Sequence, residues 1–233
     1  MKFRIDQEIF ETFPGLHIGV VRAKNLDNHG DCPDLMGKIQ QIQRKIRDNY
    51  RIETLTDCPK IQNWRNAFTL FGAKPKKHRS SVENLYRMTL EGRDLRPINR
   101  IVDIYNCISL EHMVPVGGDD LAFVDGDIVL RFAAGDETFV PLGSGEPQMV
   151  RKGEVIYADN RDVLCRRWNW RECEKTKMTE ETQDVLLVSE GLPPVSEEEI
   201  AHISAELNGM IRQYCGGESE VDVLGGDRGE WEL

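Results

Sequence analysis

The stretch from Asn99 to Leu121, NRIVDIYNCISLEHMVPVGGDDL, constrains this chain more than any other. Ile98, Ile101, Val102, Tyr105 and Ile108 recur by three and four, which predicts an amphipathic helix. Asp103 and Asn106 are also three apart and share one face of it. Pro115 cannot continue the helix, so Val114–Val116 should be extended. Gly117 and Gly118 then permit a tight turn or a close backbone approach, and Asp119 and Asp120 follow at once. The segment brings a helix, bare backbone and polar groups to one place. It is equally a helix ending in a turn before a strand, and these residues alone leave both readings open.

The flanking sequence sets the fold class. Leu16–Ala23 is a β-branched run that reads as a buried strand, with His17 as a core histidine. Helices are expected from Leu35 to Asn49 and from Ile61 to Phe71. Ser80 and Glu83 form a capping box for another. After Leu121 the period shortens to two, predicting strands at 121–124, 128–133, 137–141, 153–158, 163–170 and 184–189. Ser196 caps a last helix. This order predicts an α+β (mixed α/β) fold, with mainly antiparallel sheets flanked by helices. Residues 1–215 are expected to form one domain. Residues 216–233 are rich in glycine and acids, with six acids and one base, and are expected to be a mobile tail.

Charge and cysteine usage narrow the function. A net charge of −10 argues against a general nucleic-acid binder. No run approaches the roughly 20 apolar residues of a membrane helix, so no membrane partner is expected. Six cysteines without a C-x-x-C pair point to a reducing cytoplasm, with no disulfide or metal site expected. No cofactor is expected either. The basic run Lys74–Arg79, with Lys76, Lys77 and Arg79, is a solvated loop or an RNA phosphate contact. In Val163–Trp170, strand alternation puts Arg167 and Asn169 on one face and Arg166, Trp168 and Trp170 on the other. Trp168 and Trp170 are either core or a base-stacking surface with arginines beside it, and Arg171 extends the positive charge.

Taken with IVLRFAAGDETFVPLG (128–143), KGEVIYAD (152–159) and TEETQDVLL (179–187), the central segment resembles the editing module in the beta chain of bacterial phenylalanyl-tRNA synthetase. The likeness runs from about Ser80 to about Glu190. It is closer to free-standing members of that family, which carry a Gly-Gly-x-Asp-Leu motif and an Arg-Trp-Asn-Trp run. The resemblance implies an N-terminal α/β part over about 1–95 and an editing-module-like core over about 96–215. It implies a pocket with Asn106, Gly117, Gly118 and Glu174 as catalytic positions, and brings Asp119 and Asp120 there as substrate contacts. The residues themselves add Arg167 and Trp168 as substrate contacts and Lys76, Lys77, Arg79, Arg166 and Arg171 as RNA contacts. The synthetases carry His-Ala where this chain has Gly117-Gly118, and Gly-Gly where it has Glu172-Cys173. Their preference for tyrosine therefore does not carry over.

The function implied is a trans-editing aminoacyl-tRNA deacylase whose partner is the aminoacylated 3′ end of a tRNA. Alternatives are a non-catalytic RNA- or protein-binding module of the same fold, and a hydrolase of a small ester or amide. Asp119 and Glu174 would give the pocket a negative sign and so favour a basic amino acid over tyrosine. Oligomeric state is not legible.

Overall fold

The β-branched run after Leu16 becomes a central strand in the computed structural model, which describes all 233 residues. In chain order the strands are β1 (Lys2–Ile5), β2 (His17–Lys24), β3 (Val116–Asp120), β4 (Ile128–Phe132), β5 (Thr138–Phe139), β6 (Gln148–Met149), β7 (Val155–Ala158), β8 (Val163–Arg166), β9 (Arg171–Glu172), β10 (Val185–Gly191), β11 (Glu218–Leu224) and β12 (Glu230–Glu232). The helices are α1 (Gln7–Thr12), α2 (Pro33–Asn49), α3 (Pro59–Leu70), α4 (Ser81–Leu90), α5 (Arg100–His112) and α6 (Glu197–Cys215).

Two main sheets result. One runs β12-β1-β4-β7-β8-β9, antiparallel except where β1 meets β4. The other runs β11-β2-β10-β3 and is antiparallel throughout. β5 and β6 form a separate ribbon. The α+β class with antiparallel sheets and flanking helices is as the sequence implied. Helix α6 packs on β2, β10 and β11, and α5 lies between α6 and α2. The apolar faces of both sheets and their helices join in one core.

Local signals account for most boundaries. Ser80, Asn99 and Ser196 each accept a backbone N–H from the third residue on, at Glu83, Val102 and Glu199. Met113 ends α5 in the left-handed region at φ 53°, and Pro115 follows.

Four expectations are corrected. The tail is not mobile: β11 pairs with β2 and β12 with β1. Val221, Val223 and Leu224 supply the apolar content, and Leu224 is fully buried. An edge strand with one solvated face tolerates the acids between them. Residues 121–123 form a 3₁₀ turn rather than a strand, because Asp120 caps it by accepting the Ala122 N–H. Strand β8 stops at Arg166, since Arg167 and Trp168 adopt φ 52° and 65° and reverse the chain. Gly117 and Gly118 lie inside β3 rather than in a turn.

Candidate active site

The two sheets face each other across a narrow cavity with about 20 Å³ of free space, room for about one water. Its floor from one sheet is β3 and β10, with Gly117, Gly118, Asp119 and Glu190. The other sheet contributes Tyr157, Cys165 and Glu172, closed by Trp168, Asn169 and Ser81. A second, outer pocket opens beside it between α5 and the loop after β9. Tyr105, Val102, Leu142 and Met178 line that pocket, and Gly118 and Glu172 belong to both. These two residues therefore mark the boundary between an inner chamber and an outer, roomier pocket.

Three acids converge on the inner chamber and no basic side chain lines it. Glu190 sits in β10, where every residue is buried, and it is 1% exposed. Its Oε1 accepts from the Tyr157 hydroxyl at 2.5 Å and from Trp168 Nε1 at 2.7 Å. Its Oε2 accepts from Asn169 Nδ2 at 2.6 Å. Burial still pushes its carboxyl up to about 7 against those three donors. Burial likewise raises Asp119 to about 6, although Thr176 donates its hydroxyl to Oδ1 at 2.5 Å. Glu172 is raised well above the ordinary glutamate value, first by burial and then by the charge of Asp119. Glu172 thus holds a proton that an ordinary carboxylate would have lost at neutral pH, whereas Asp119, raised only to about 6, is the more readily ionised of the two.

The backbone of β3 completes the site. Leu121 donates its N–H to the Asp184 carbonyl just ahead of β10, and Glu190 donates back to the Pro115 carbonyl, while Asp120 donates away from β10, to the Thr176 carbonyl. Alternation along an antiparallel edge strand therefore turns the Gly118 N–H to the free edge, toward the two pockets. A Cβ at 118 would meet the Leu186 carbonyl oxygen at 2.0 Å, so only glycine fits there. A Cβ at 117 would meet Glu172 Oε1 at 3.3 Å, so a bare backbone lets that carboxyl lie close to the strand.

The loop from Cys173 to Asp184 walls the outer pocket and is pinned from several sides. Lys175 Nζ reaches Asp125, Asp159 and Asp162 at 2.7, 2.7 and 2.8 Å. These aspartates are the one acid cluster with metal-like spacing, and the ammonium of Lys175 fills it. Asn99 Nδ2 donates to the Met178 carbonyl, and Asn28 Nδ2 to that of Thr179. Thr182 donates to Asp120 Oδ2 at 2.7 Å.

The sequence-expected residues divide accordingly. Gly117, Gly118, Asp119 and Trp168 line the chamber. Trp168 is wholly buried against Phe13, Trp64 and Phe71, so no nucleobase can stack on it. Asp120 braces the 3₁₀ turn and Thr182 and does not face the chamber. Asn106 is half-buried and lines neither pocket. Glu174 is turned outward to Lys177 and the Gly143 N–H, because the β9 edge presents Glu172 inward instead. Arg166 and Arg167 are not available to RNA, since both bond the buried Glu154. Lys76, Lys77 and Arg171 are exposed, and Arg79 is half-buried.

Sequence reasoning missed Glu190, Tyr157, Ser81 and Glu172 as chamber residues. For Glu190 the signal was present, since an acid inside the apolar run Val185–Gly191 needs a partner. Cys165 also lines the chamber, but burial raises its thiol well above the ordinary value, which leaves it a poor nucleophile.

An α+β domain with an acid-lined chamber between two sheets is thus defined. The chain belongs to the B3/4 domain family, which matches residues 63–213. Its relatives include the phenylalanine–tRNA ligase beta subunit of Porphyromonas gingivalis, 28% identical over 184 residues, covering 76% of this chain and 21% of that protein. That of Vibrio vulnificus is 34% identical over 93 residues, covering 40% and 11%. The chain thus spans about a fifth or less of the length of these relatives. Among solved structures, an N-terminal fragment of the phenylalanyl-tRNA synthetase beta subunit from Pyrococcus horikoshii aligns at a TM-score of 0.48 and 15% identity, over 93% of this chain and 49% of the fragment. The family match and the sequence relatives show the kinship with phenylalanine–tRNA ligase beta subunits that the motifs implied. No helix is long and apolar enough to cross a membrane.

Proposed function

We propose that this protein is a trans-acting aminoacyl-tRNA deacylase that removes a basic amino acid from a mischarged tRNA. The observation that carries this reading is a chamber lined by Asp119, Glu172 and Glu190 with no basic side chain of its own. Buried carboxylates without a cation are costly, and a cationic ligand supplies what the site lacks. The family kinship supplies the tRNA. The ester lies where Gly118 and Glu172 border both pockets, with the cationic end of the aminoacyl side chain against the acids there. The terminal adenosine then occupies the outer pocket beside Tyr105 and Met178.

Hydrolysis requires water to attack the ester carbonyl carbon and the ribose oxygen to leave with a proton. The Gly118 N–H, fixed at the strand edge, donates to the carbonyl oxygen as negative charge builds on it. Asp119 and Glu172 share the proton traffic. The ionised member takes a proton from water as its oxygen bonds to carbon, and the protonated member returns one to the ribose oxygen as that C–O bond breaks. No cofactor enters this scheme. The exposed Lys76, Lys77 and Arg171 are the phosphate contacts, and the cytoplasm is the site of action.

A panel of tRNAs charged with arginine, lysine, tyrosine and phenylalanine tests the reading. Release of the basic residues ahead of tyrosine is expected. Binding without release of any amino acid would favour a non-catalytic module, and release of tyrosine ahead of every basic residue would overturn the assignment of the chamber.

A further inference from the structure

The free space of the inner chamber, about 20 Å³, admits one water and nothing larger. A buried water makes about three hydrogen bonds to polar groups that lack other partners. Two buried oxygens lining this chamber have no partner within the protein: Ser81 Oγ and Asn169 Oδ1. Such orphans are rare in folded proteins. Both are held in place. The Ser81 N–H donates to the Asn169 carbonyl at 3.1 Å, which ties the first turn of α4 to the reversal after β8. Asn169 Nδ2 is committed to Glu190 Oε2 at 2.6 Å, and the amide oxygen is the end left over. The chamber acids differ in what they can still accept. Glu190 spends both oxygens on Tyr157, Trp168 and Asn169. Asp119 takes the Thr176 hydroxyl on Oδ1, which leaves Oδ2 open.

We propose that the inner chamber is the site of the hydrolytic water, and that Ser81 and Asn169 are the residues that position it. This rests on the deacylase reading for the reaction, and it assigns roles that the acids alone leave open. Asn169 Oδ1 can only accept, so it takes one hydrogen of the water. Asp119, the more readily ionised of the two boundary acids, takes the other. The Ser81 hydroxyl has no other partner and donates to one lone pair of the water oxygen. The second lone pair is left for the ester carbon at the boundary with the outer pocket. As the water oxygen bonds to that carbon, its proton passes to Asp119. As the bond from the carbon to the ribose oxygen breaks, Glu172 gives its proton to that oxygen. One carboxyl gains the proton that the other loses, and a single proton exchange between them resets the pair. A water oriented before the ester arrives saves the cost of ordering it during the reaction. A chamber of this size also shuts out any nucleophile larger than water.

A high-resolution crystal structure of the full chain tests the site without any reaction. One ordered water bonded to Ser81 Oγ and Asn169 Oδ1 is expected, and the lack of one overturns the proposal. Kinetics on the best substrate of the tRNA panel test the role. Ser81→Ala should lower kcat at least about fivefold and leave KM within about twofold of wild type, because the hydroxyl touches the water and not the aminoacyl group. Ser81→Thr, which keeps the hydroxyl, should retain most of the rate. Removing an unpartnered oxygen should leave the unfolding midpoint of Ser81→Ala unchanged or higher, and a variant that unfolds several degrees earlier makes the oxygen structural and overturns the proposal. Wild type turning over with methanol added should yield free amino acid and no amino-acid methyl ester. Methyl ester formed in proportion to the methanol present would place the attack outside the chamber. If a tRNA is hydrolysed but Ser81→Ala keeps the wild-type kcat, or changes KM alone, this proposal fails and the deacylase reading stands. If the water is present and no aminoacyl-tRNA is hydrolysed, the deacylase reading fails and takes the hydrolytic role with it.

Discussion

Replacing Glu190 with glutamine should stabilise the protein above neutral pH and leave its stability nearly unchanged below pH 5. The carboxyl rises from an ordinary value of 4.5 to about 7 in the folded chain, with burial as the main cause, and the residue is 1% exposed. A folded value above the unfolded one means that this group favours folding fully below about pH 4.5. That contribution is lost as pH rises through about 7. The interval corresponds to roughly 3 kcal/mol. Glutamine carries no charge at any pH and so lacks this loss. Its hydrogen bonds are nearly conserved: its oxygen keeps Tyr157 and Trp168, and a flip of Asn169 turns the unpartnered Oδ1 onto the new NH₂. That exchange should cost no more than about 1 kcal/mol. The difference in stability between Glu190→Gln and wild type should therefore shift in the variant's favour by about 3 kcal/mol between pH 5 and pH 8.5. In a chain of this size that is roughly 6–12 °C in the unfolding midpoint. Urea and thermal unfolding of both proteins at the two pH values measure it, and Asp119 and Glu172 titrate in both and largely cancel. A difference that stays constant within about 1 kcal/mol would refute the claim that Glu190 is a buried, proton-holding acid.

Three further outcomes are expected. Truncation after Cys215 removes β11 and β12 and uncovers the edges of β2 and β1; a midpoint at least about 5 °C lower is expected, and an unchanged one would restore the view of a dispensable tail. Gly118→Ala should destabilise the domain by about 1–3 kcal/mol, because its Cβ meets backbone at 2.0 Å, whereas Gly117→Ala meets only the Glu172 carboxyl at 3.3 Å and should unfold close to wild type. Lys76→Ala/Lys77→Ala should weaken tRNA binding and reduce the slope of log affinity against log salt by about 2, as measured by filter binding; an unchanged slope would remove that loop from the interface.

The parts of the fold that were legible in the sequence are those with strong local periodicity and caps. Helices α2, α3, α5 and α6 follow from apolar spacing, and the caps at Ser80, Asn99 and Ser196 follow from side-chain chemistry. The misreadings share a physical cause: long-range pairing decided them. The tail reads as mobile because it is rich in glycine and acids and poor in apolar residues, yet β2 and β1 offer edges that bind it. Gly117-Gly118 reads as a tight turn or a close approach, and in β3 the missing Cβ serves close approach to β10 and Glu172. Nothing local marks Arg167 and Trp168 as left-handed, since neither is glycine or asparagine. In the site, Asp119 and the glycine pair were legible from the motif. Glu172 was passed over for Glu174, because the resemblance matches Glu174 to the acid of the synthetases' Gly-Gly-Glu loop and Glu172 to one of its glycines, whereas β9 brings Glu172 to the chamber.

The distribution of cations then bears on the chemistry. Glu83 is buried with Arg65 and Arg87 on it, Glu154 with Arg166 and Arg167, and Asp159 with Lys175. These acids sit outside the chamber, and each is matched by a cation from this chain. Asp119, Glu172 and Glu190 line the chamber together and have hydrogen-bond donors or one another, but no cation. A chain of 30 basic residues does not lack the means to neutralise them. The electrostatic cost of three close carboxyls is instead met by protonation, as the raised values of all three indicate. A proton is a replaceable partner where a tethered arginine is not. A cation brought up to the chamber can therefore displace protons and ionise the acids, one of which must be ionised to take a proton from water. On this reading a basic side chain beside these acids favours the ionised form of the one that takes a proton from water, and a neutral side chain of the same size does not.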